Sequence, residues 1–386
     1  MHQAARKQTT TAVPQPAPML FASLELSAKT WKVALSDGAR PGRVVCVAAR
    51  EVDALLAVLE EARQRFHLPS EARTLVCQEA GRDGFWIHRQ LERAGVESLV
   101  VDPSSIEVNR RARRAKTDRL DALKLLQMLI RHHRGERVWS VLRAPTAEQE
   151  DARRPHRERK TLQTEVTRES NRIRSALALF GIGVERLGGL DVAALETRDG
   201  QRLPTNARAE MGRALERLQL ARKQLGDLER RRRKELADVR RKNDGRRSMS
   251  PAMRKVLMLM ALKGIGEQGA QTLAHEFFWR DFNNRREVGS AAGLTGTPYQ
   301  SGASNRDQGI SKAGNPRIRA LMVDLAWLWL RFQPASDLSQ WFQRRWATGP
   351  SRLRRVGIVA VARRLLIDLW RYVDQGVVPR GALLCN

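Results

Sequence analysis

MLFASLELSAKTWKVALSDGARPGRVVCVA, residues 19–48, is the stretch on which the fold turns. Three short β-rich runs, 19–26, 30–36 and 43–48, are separated by Ser-Ala-Lys and by Asp-Gly-Ala-Arg-Pro-Gly. Both separators have hairpin spacing, so the pattern predicts an antiparallel three-strand meander. Outward from it, Val52, Leu55, Leu56, Val58 and Leu59 recur at helical spacing across 51–66. A strand at 74–77 runs into Gln78-Glu79-Ala80-Gly81, a helix follows at 85–94, and a strand at 98–101 closes on Asp102-Pro103. The last element of this unit is a helix over 117–133.

The order βββ-α-β-α-β-α is that of a ribonuclease-H-like (RuvC-like) α/β domain. In that fold the first strand is central and carries Glu25 near its end. Glu79 ends the fourth strand, beside the first. Asp118 and Asp121 are three apart, hence on one face of the final helix. Any one of these residues alone reads as a surface carboxylate; all four at matching topological positions read as a site. Four carboxylates on one edge repel each other unless divalent cations neutralise them. Hard oxygen donors that only partly fill the coordination shell suit Mg²⁺, or Mn²⁺. Two ions about 3.5–4 Å apart would activate one oxygen and stabilise the leaving one. Arg110, Arg111, Arg113, Arg114 and Lys116 precede the helix, where a nucleic-acid backbone would approach.

Charge points to the same partner. Seventy Lys and Arg against 42 Asp and Glu give a formal net charge of +28 over 386 residues. A chain this cationic repels itself unless a polyanion neutralises it. The length suggests two or three domains, and 42% hydrophobic residues suffice for real cores. Cys46, Cys77 and Cys385 are too few and too scattered for a disulfide framework or a Cys-rich zinc site. That usage suits a reducing cytoplasm. No window approaches the roughly 18 apolar residues of a membrane span, so no membrane partner is expected. Residues 1–18 read as a loose, disordered tail rather than a secretion signal.

From 146 to 247 aromatic residues nearly vanish and Arg becomes dense. Met211, Leu218 and Leu225 recur every seven residues, with Ala214, Ala221 and Leu228 offset by three, which is a coiled-coil seam. A Gly-rich break at 181–189 and the Pro204-Thr205-Asn206 cap separate two helices. They should form an antiparallel hairpin or a dimerising coiled coil. The Arg/Lys runs at 230–234 and 240–242 read as backbone contacts to nucleic acid or as a solvated helix face. Further on, an apolar helix at 253–262, Lys263-Gly264-Ile265-Gly266 and a helix at 267–277 make a helix-hairpin-helix pattern, whose backbone N–H groups can grip a phosphate. Residues 287–316 are Gly- and Ser-rich, 318–332 strongly apolar, and a Trp- and Arg-rich helix surrounds 357–373.

Particular blocks are recognisable. "SLELSAKTWKVAL" (23–35), "VCQEAGRDGFWIHRQLERAG" (76–95), "VDPSSIEVNRRARRAKTDRLDA" (101–122) and "GNPRIR" (314–319) resemble the transposases of the IS-one-ten family of bacterial insertion sequences. The resemblance covers roughly 19–332, and its most specific parts are "AKTDRLDA" and "QSG…GISKAGN". It implies a RuvC-like DEDD domain at 19–140, a coiled-coil middle at 141–249, and a mostly helical transposase domain at 250–345. A helical extension at 346–386 follows. It implies DEDD acids at Glu25, Glu79, Asp118 and Asp121, and a catalytic serine at Ser301, with Ser304 and Ser311 as neighbouring candidates. Arg306 and Lys312 would offset charge on the reacting phosphate. The implied partners are element and target DNA, a structured bridge or seeker RNA, and further copies of the chain in a dimer or tetramer. The implied location is the bacterial cytoplasm, at the nucleoid.

Two positions depart from the family pattern. Glu25 stands where the family has Asp, one methylene further out, and Pro155 falls near the start of the middle helix. Two other functions fit parts of the chain. One is a Holliday-junction-type nuclease in which Ser301 is merely structural. The other is a non-catalytic RNA- or DNA-binding protein from a decayed element.

Overall fold

The computed structural model describes residues 17–107, 117–241, 249–301 and 304–385, with the side chains of 304–307 excluded. Arg110, Arg111, Arg113, Arg114 and Lys116, the side chain of Arg306 and nearly all of the 1–18 tail lie outside the described residues. The chain divides into two compact units, Met1–Pro145 and Thr146–Asn386.

The first unit is a six-stranded mixed sheet between helices. Its elements are β1 (Met19–Glu25), β2 (Thr30–Ser36), β3 (Arg43–Ala48), α1 (Val52–Arg65), β4 (Arg73–Glu79), α2 (Trp86–Arg93), β5 (Glu97–Val101), α3 (Asp118–His133) and β6 (Val141–Leu142). The strand order is β3-β2-β1-β4-β5-β6. Strands β1, β2 and β3 form the expected antiparallel meander, while β1–β4 and β4–β5 are parallel. Side-chain alternation along a strand sends successive residues to opposite faces. Leu20, Ala22, Leu24 and Val76 pack with Leu55 and Leu59 of α1 and Ile87 and Leu91 of α2. Met19, Phe21, Leu75 and Cys77 pack with Ala122, Leu125 and Leu129 of α3. Each large apolar side chain so buried contributes about 1.5–3 kcal/mol. The two-residue strand β6, antiparallel to β5, is an addition that the sequence pattern did not suggest.

The second unit is mostly helical. It contains α4 (Ala147–Asp151), α5 (Arg154–Ala178), α6 (Thr205–Arg241), α7 (Pro251–Met260), α8 (Glu267–Glu276), α9 (Arg285–Ala291), β7 (Gly296–Ser301), β8 (Ser304–Ile310), α10 (Pro316–Phe332), α11 (Asp337–Trp346) and α12 (Ser351–Gln375). Helices α5 and α6 form an antiparallel hairpin: Arg172 bonds Glu210, Glu169 bonds Arg217, and Arg159 bonds Glu229, so numbers fall on one helix as they rise on the other. Met211, Ala214 and Leu218 of the seam bury against Ile173 and Leu177. Pro155 lies in the first turn of α5, where its missing N–H has no intrahelical acceptor to lose.

Helices α7 and α8, with Gly264 in the turn between them, match the helix-hairpin-helix spacing read from the sequence. Leu365, Leu366 and Leu369 of α12 share one core with Leu273 of α8, with Phe277 just after it, and with Ile318, Met322 and Leu325 of α10. Residues 351–375 are therefore central to the packing of 250–345. The stretch 287–316 is more ordered than its Gly and Ser content implies. It holds most of α9 and the whole β7–β8 hairpin.

Candidate active site

Strand parity organises the carboxylates. Ser23 on β1 and Cys77 on β4 are register partners. The Ser23 hydroxyl donates to the carbonyl of Ala122 at 2.6 Å, and the Cys77 thiol lies 3.9 Å from the carbonyl of Leu125. Both contacts fall on α3, about one helical turn apart. Glu25 and Glu79 stand two residues beyond Ser23 and Cys77 on the same strands, so they continue the face that α3 covers. Burial raises the pKa of the Cys77 thiol far above its ordinary range and keeps it an inert neutral packing group.

Asp118 and Asp121 occupy the first turn of α3, capped by Thr117, whose side chain accepts from Leu120 N–H. Negative charge is favoured there by the helix dipole, and Asp121 immediately precedes the residue that Ser23 holds. The backbone thus brings two strand ends and one helix start to a common edge. The donors are all carboxylate oxygens, chemistry suited to a hard cation. Their side chains as placed do not converge: among the described residues no three Asp, Glu, His or Cys side chains are grouped closely enough to hold an ion.

Lys32 was not singled out from sequence. It stands directly across from Glu25 on β2, with its ammonium 2.9 Å from the Cys46 sulfur on β3. A cation opposite Glu25 bears on any charge gathered at this edge. Only the hairpin register could have revealed it.

Ser301 is the exposed last residue of β7, paired with Ser304 at the tip of the hairpin. A strand-end position is more regular than the Gly- and Ser-rich composition of 287–316 suggests. Lys312 follows the far end of β8, with φ at 57°, and its N–H donates to the Gly293 carbonyl at 3.3 Å. From Gly296 to Ser301 the hairpin spans five steps, about 17 Å at ~3.4 Å per residue. Lys312 therefore sits at the base of the hairpin and not beside Ser301 of the same chain. Arg306 pairs with Tyr299 nearer the tip.

The base of the hairpin is clamped by glycine. A Cβ on Gly314 would lie 2.2 Å from Gly293 N and 2.4 Å from the Ala291 carbonyl oxygen. Asn315 then caps α10, accepting from Arg317 and Ile318 N–H, with Pro316 in its first turn. This accounts physically for the Gly-Asn-Pro of the "GNPRIR" block.

The α5–α6 hairpin is tied to α8 by buried polar groups. Arg157 donates to both carboxylate oxygens of Glu276, at 2.7 and 3.0 Å, and Glu276 is only 2% exposed. Arg232, itself buried, donates to Gln271 Oε1 and lies 3.0 Å from His156 Nδ1. The His156 and His275 rings meet edge-on at 5.2 Å. Burial, reinforced by Arg232, pushes the pKa of His156 down to about 2 and that of His275 to about 4, so both are neutral. Arg230, Arg231 and Arg241 take Asp227, Glu235 and Asp238 one turn away on α6. Much of the 230–241 charge run is therefore spoken for within the chain, which favours the solvated-face reading there.

No helix among the described residues is long and apolar enough to cross a membrane. A DEDD transposase model of the IS110 group matches residues 37–182, and the model described as "Transposase IS116/IS110/IS902 family" matches 241–340. The chain is also 43% identical to "Putative transposase y4rJ" of Sinorhizobium fredii (strain NBRC 101917 / NGR234), over 98% of each chain. The relationship therefore spans both units rather than one borrowed module. With family matches over 37–182 and 241–340 and a relative aligned over nearly the whole length, the chain belongs to the IS110 family of transposases.

Proposed function

We propose that this transposase cuts and rejoins DNA at element ends and targets under the direction of a structured RNA. In this reading Ser301 is the nucleophile and Glu25, Glu79, Asp118 and Asp121 hold Mg²⁺ or Mn²⁺. The carrying observation is the common face of Ser23 and Cys77, which puts Glu25 and Glu79 at the edge where α3 starts. The strand order, with β1 central and the meander on one side, suits the RuvC-like reading of this domain. Holding an ion asks the two glutamates, each with three rotatable side-chain bonds, to turn toward Asp118 and Asp121. When bound, the cation supplies Lewis-acid stabilisation of charge on a phosphate.

In the step proposed, Ser301 Oγ forms a bond to phosphorus while the bond from phosphorus to the adjoining nucleotide's oxygen breaks. The serine proton leaves and the departing oxygen takes one up. The phosphodiester's energy is retained in the serine ester, so rejoining needs no outside source. A serine hydroxyl needs activation, and Lys312 of the same chain stands at the wrong end of the hairpin for it. A second copy of the chain, in a dimer or tetramer, is the natural source of the activating carboxylate edge. RNA guidance rests on the family resemblance and on the +28 charge.

The test is to trap the reaction of guide RNA, protein and nicked DNA and look for a heat-stable, protease-sensitive adduct. Ser301→Ala should lose the adduct and still bind RNA and DNA. Loss in Ser304→Ala or Ser311→Ala instead would move the nucleophile. An active preparation that never forms an adduct would favour the hydrolytic nuclease.

A further inference from the structure

The hairpin base and the N-terminal two thirds of α12 enclose an open cavity of about 1220 Å³ in which Arg285, Arg286, Lys312, Arg352, Arg355 and Arg363 converge. No described acidic residue lines it. Arg364 adds a further cation, fixed 3.7 Å above the Trp341 ring centre. Among the described residues none of these arginines has a carboxylate within salt-bridge distance, in contrast to the paired arginines of α6. A concentration of unpaired guanidinium groups is unfavourable by itself and calls for an anion. The volume exceeds the usual range for a small ligand, roughly 300–1,000 Å³. From Ser351 to Ile367 the lining runs along α12 for about 25 Å at 1.5 Å per residue. The occupant is therefore an extended polyanion.

Leu353 and Val356 project from the same wall and are 50% and 52% exposed. Apolar side chains set among phosphate-binding cations suit unpaired bases better than the outside of a duplex, which offers only phosphate and sugar there. The cavity is continuous with the element that carries Ser301: Gly296, Gln308, Gly309 and Ile310 of the β7–β8 hairpin line it, and Ser301 is at the tip of that hairpin. We propose that this groove binds a single strand of DNA and leads it along the hairpin toward Ser301. The proposal rests on the reading of Ser301 as a DNA nucleophile, which selects DNA over RNA as the occupant.

The experiment uses the full chain and three labelled probes of one sequence, about 30 nucleotides long: single-stranded DNA, the matching RNA, and duplex DNA. A photoreactive thymidine analogue in the DNA should crosslink to peptides within 351–367. The exposed double variant Arg352→Ala/Arg355→Ala should weaken single-stranded DNA binding about tenfold, as loss of charge-assisted contacts does. It should also lower the salt slope by about 0.7 for each contact removed. Leu353→Ser/Val356→Ser should weaken the single strand and leave the duplex unchanged. Arg354→Ala is the control, exposed on the same helix but outside the lining. An equal loss in this control would mean that net charge alone acts, and would overturn the groove. Crosslinks to 351–367 from RNA and not DNA would overturn the occupant. Unchanged DNA binding in the double variant, with the Ser301 adduct still forming, would sink the groove and leave the proposed function standing. Weakened DNA binding with no serine adduct in any preparation would keep the groove and sink the nucleophile.

Discussion

The Ser23 hydroxyl on the central strand donates to the main-chain carbonyl of Ala122, 99 residues away, at 2.6 Å. Both groups are buried, so the bond sets where α3 begins relative to the end of β1. That makes it the positioning contact for Glu25 and Asp121. Ser23→Ala leaves a buried carbonyl of α3 with one fewer donor and should cost about 1–2 kcal/mol. The measurement is a denaturant midpoint, with strand-exchange activity alongside. A Ser23→Ala protein of unchanged stability and unchanged activity would show that packing alone holds α3 in place.

Carboxylate chemistry predicts a metal dependence. Asp118→Asn and Asp121→Asn keep shape but remove charge, and each should abolish DNA strand exchange while leaving the melting temperature nearly unchanged. Glu25→Asp should retain or raise activity, since it shortens the ligand by one methylene at a site that demands close geometry. Chelation should stop the reaction and added Mg²⁺ or Mn²⁺ should restore it. Full activity in chelator would remove these residues from the mechanism.

Gly314 tests the clamp at the hairpin base. The 2.2 Å approach that a Cβ would make to the Gly293 nitrogen cannot be relieved by turning a flexible side chain, because the obstacle is backbone. Gly314→Ala should destabilise the second unit by at least about 2 kcal/mol, among the larger single-residue effects. Gly212→Ala, with open space around the added carbon, should be harmless or mildly stabilising within its helix. Equal melting curves for the two variants would contradict the clamp.

Glu276 joins the α5–α6 hairpin to α8 through Arg157. Glu276→Gln keeps the volume and loses the charge, leaving Arg157 without its anion. A loss of about 2–4 kcal/mol is expected, below or within the range for breaking a buried pair because Arg157 is partly exposed. Urea unfolding should show it, and Arg157→Met/Glu276→Met should recover part of the loss.

The buried histidines give stability a pH dependence with a definite sign. Their folded pKa values, about 2 for His156 and about 4 for His275, lie below the ordinary 6.5. The unfolded chain therefore takes up protons first as pH falls. Stability is complete above about pH 7 and declines from 6.5 downward, by at most on the order of 3 kcal/mol for His275 by pH 4. Unfolding free energy measured between pH 7.5 and 4.5 should fall, and His275→Gln should flatten part of the slope. A slope that His275→Gln leaves intact would assign the effect to other groups.

Much of this was legible in the chain itself. Residues 19–48 alternate and pause in the way only hairpin strands do, and β2 and β3 begin and end where that pattern says. Thr117 before Asp118 is a visible helix start, and Asp118 and Asp121 share a face by spacing alone. These features are local: propensity, capping and periodicity act over a few residues and need no knowledge of the rest of the chain. The β7–β8 hairpin escaped because its described side chains are nearly all exposed; a strand with neither face buried carries no apolar alternation to read. Helix α9 did leave a signal in Asn284 and Glu287, whose side chains answer each other across its first turn.

What tertiary structure alone decided is distance between parts far apart in sequence. No local pattern could put Lys32 across from Glu25, Ala122 on the Ser23 hydroxyl, or Arg232 inside the protein rather than on a cationic face. Nor could it place Lys312 about five strand steps from Ser301 when the two are eleven residues apart. Such relations come from sheet register and helix packing, which are set by burial summed over the whole unit. Local chemistry settles which residues can form each element; the packing determines which of their side chains meet.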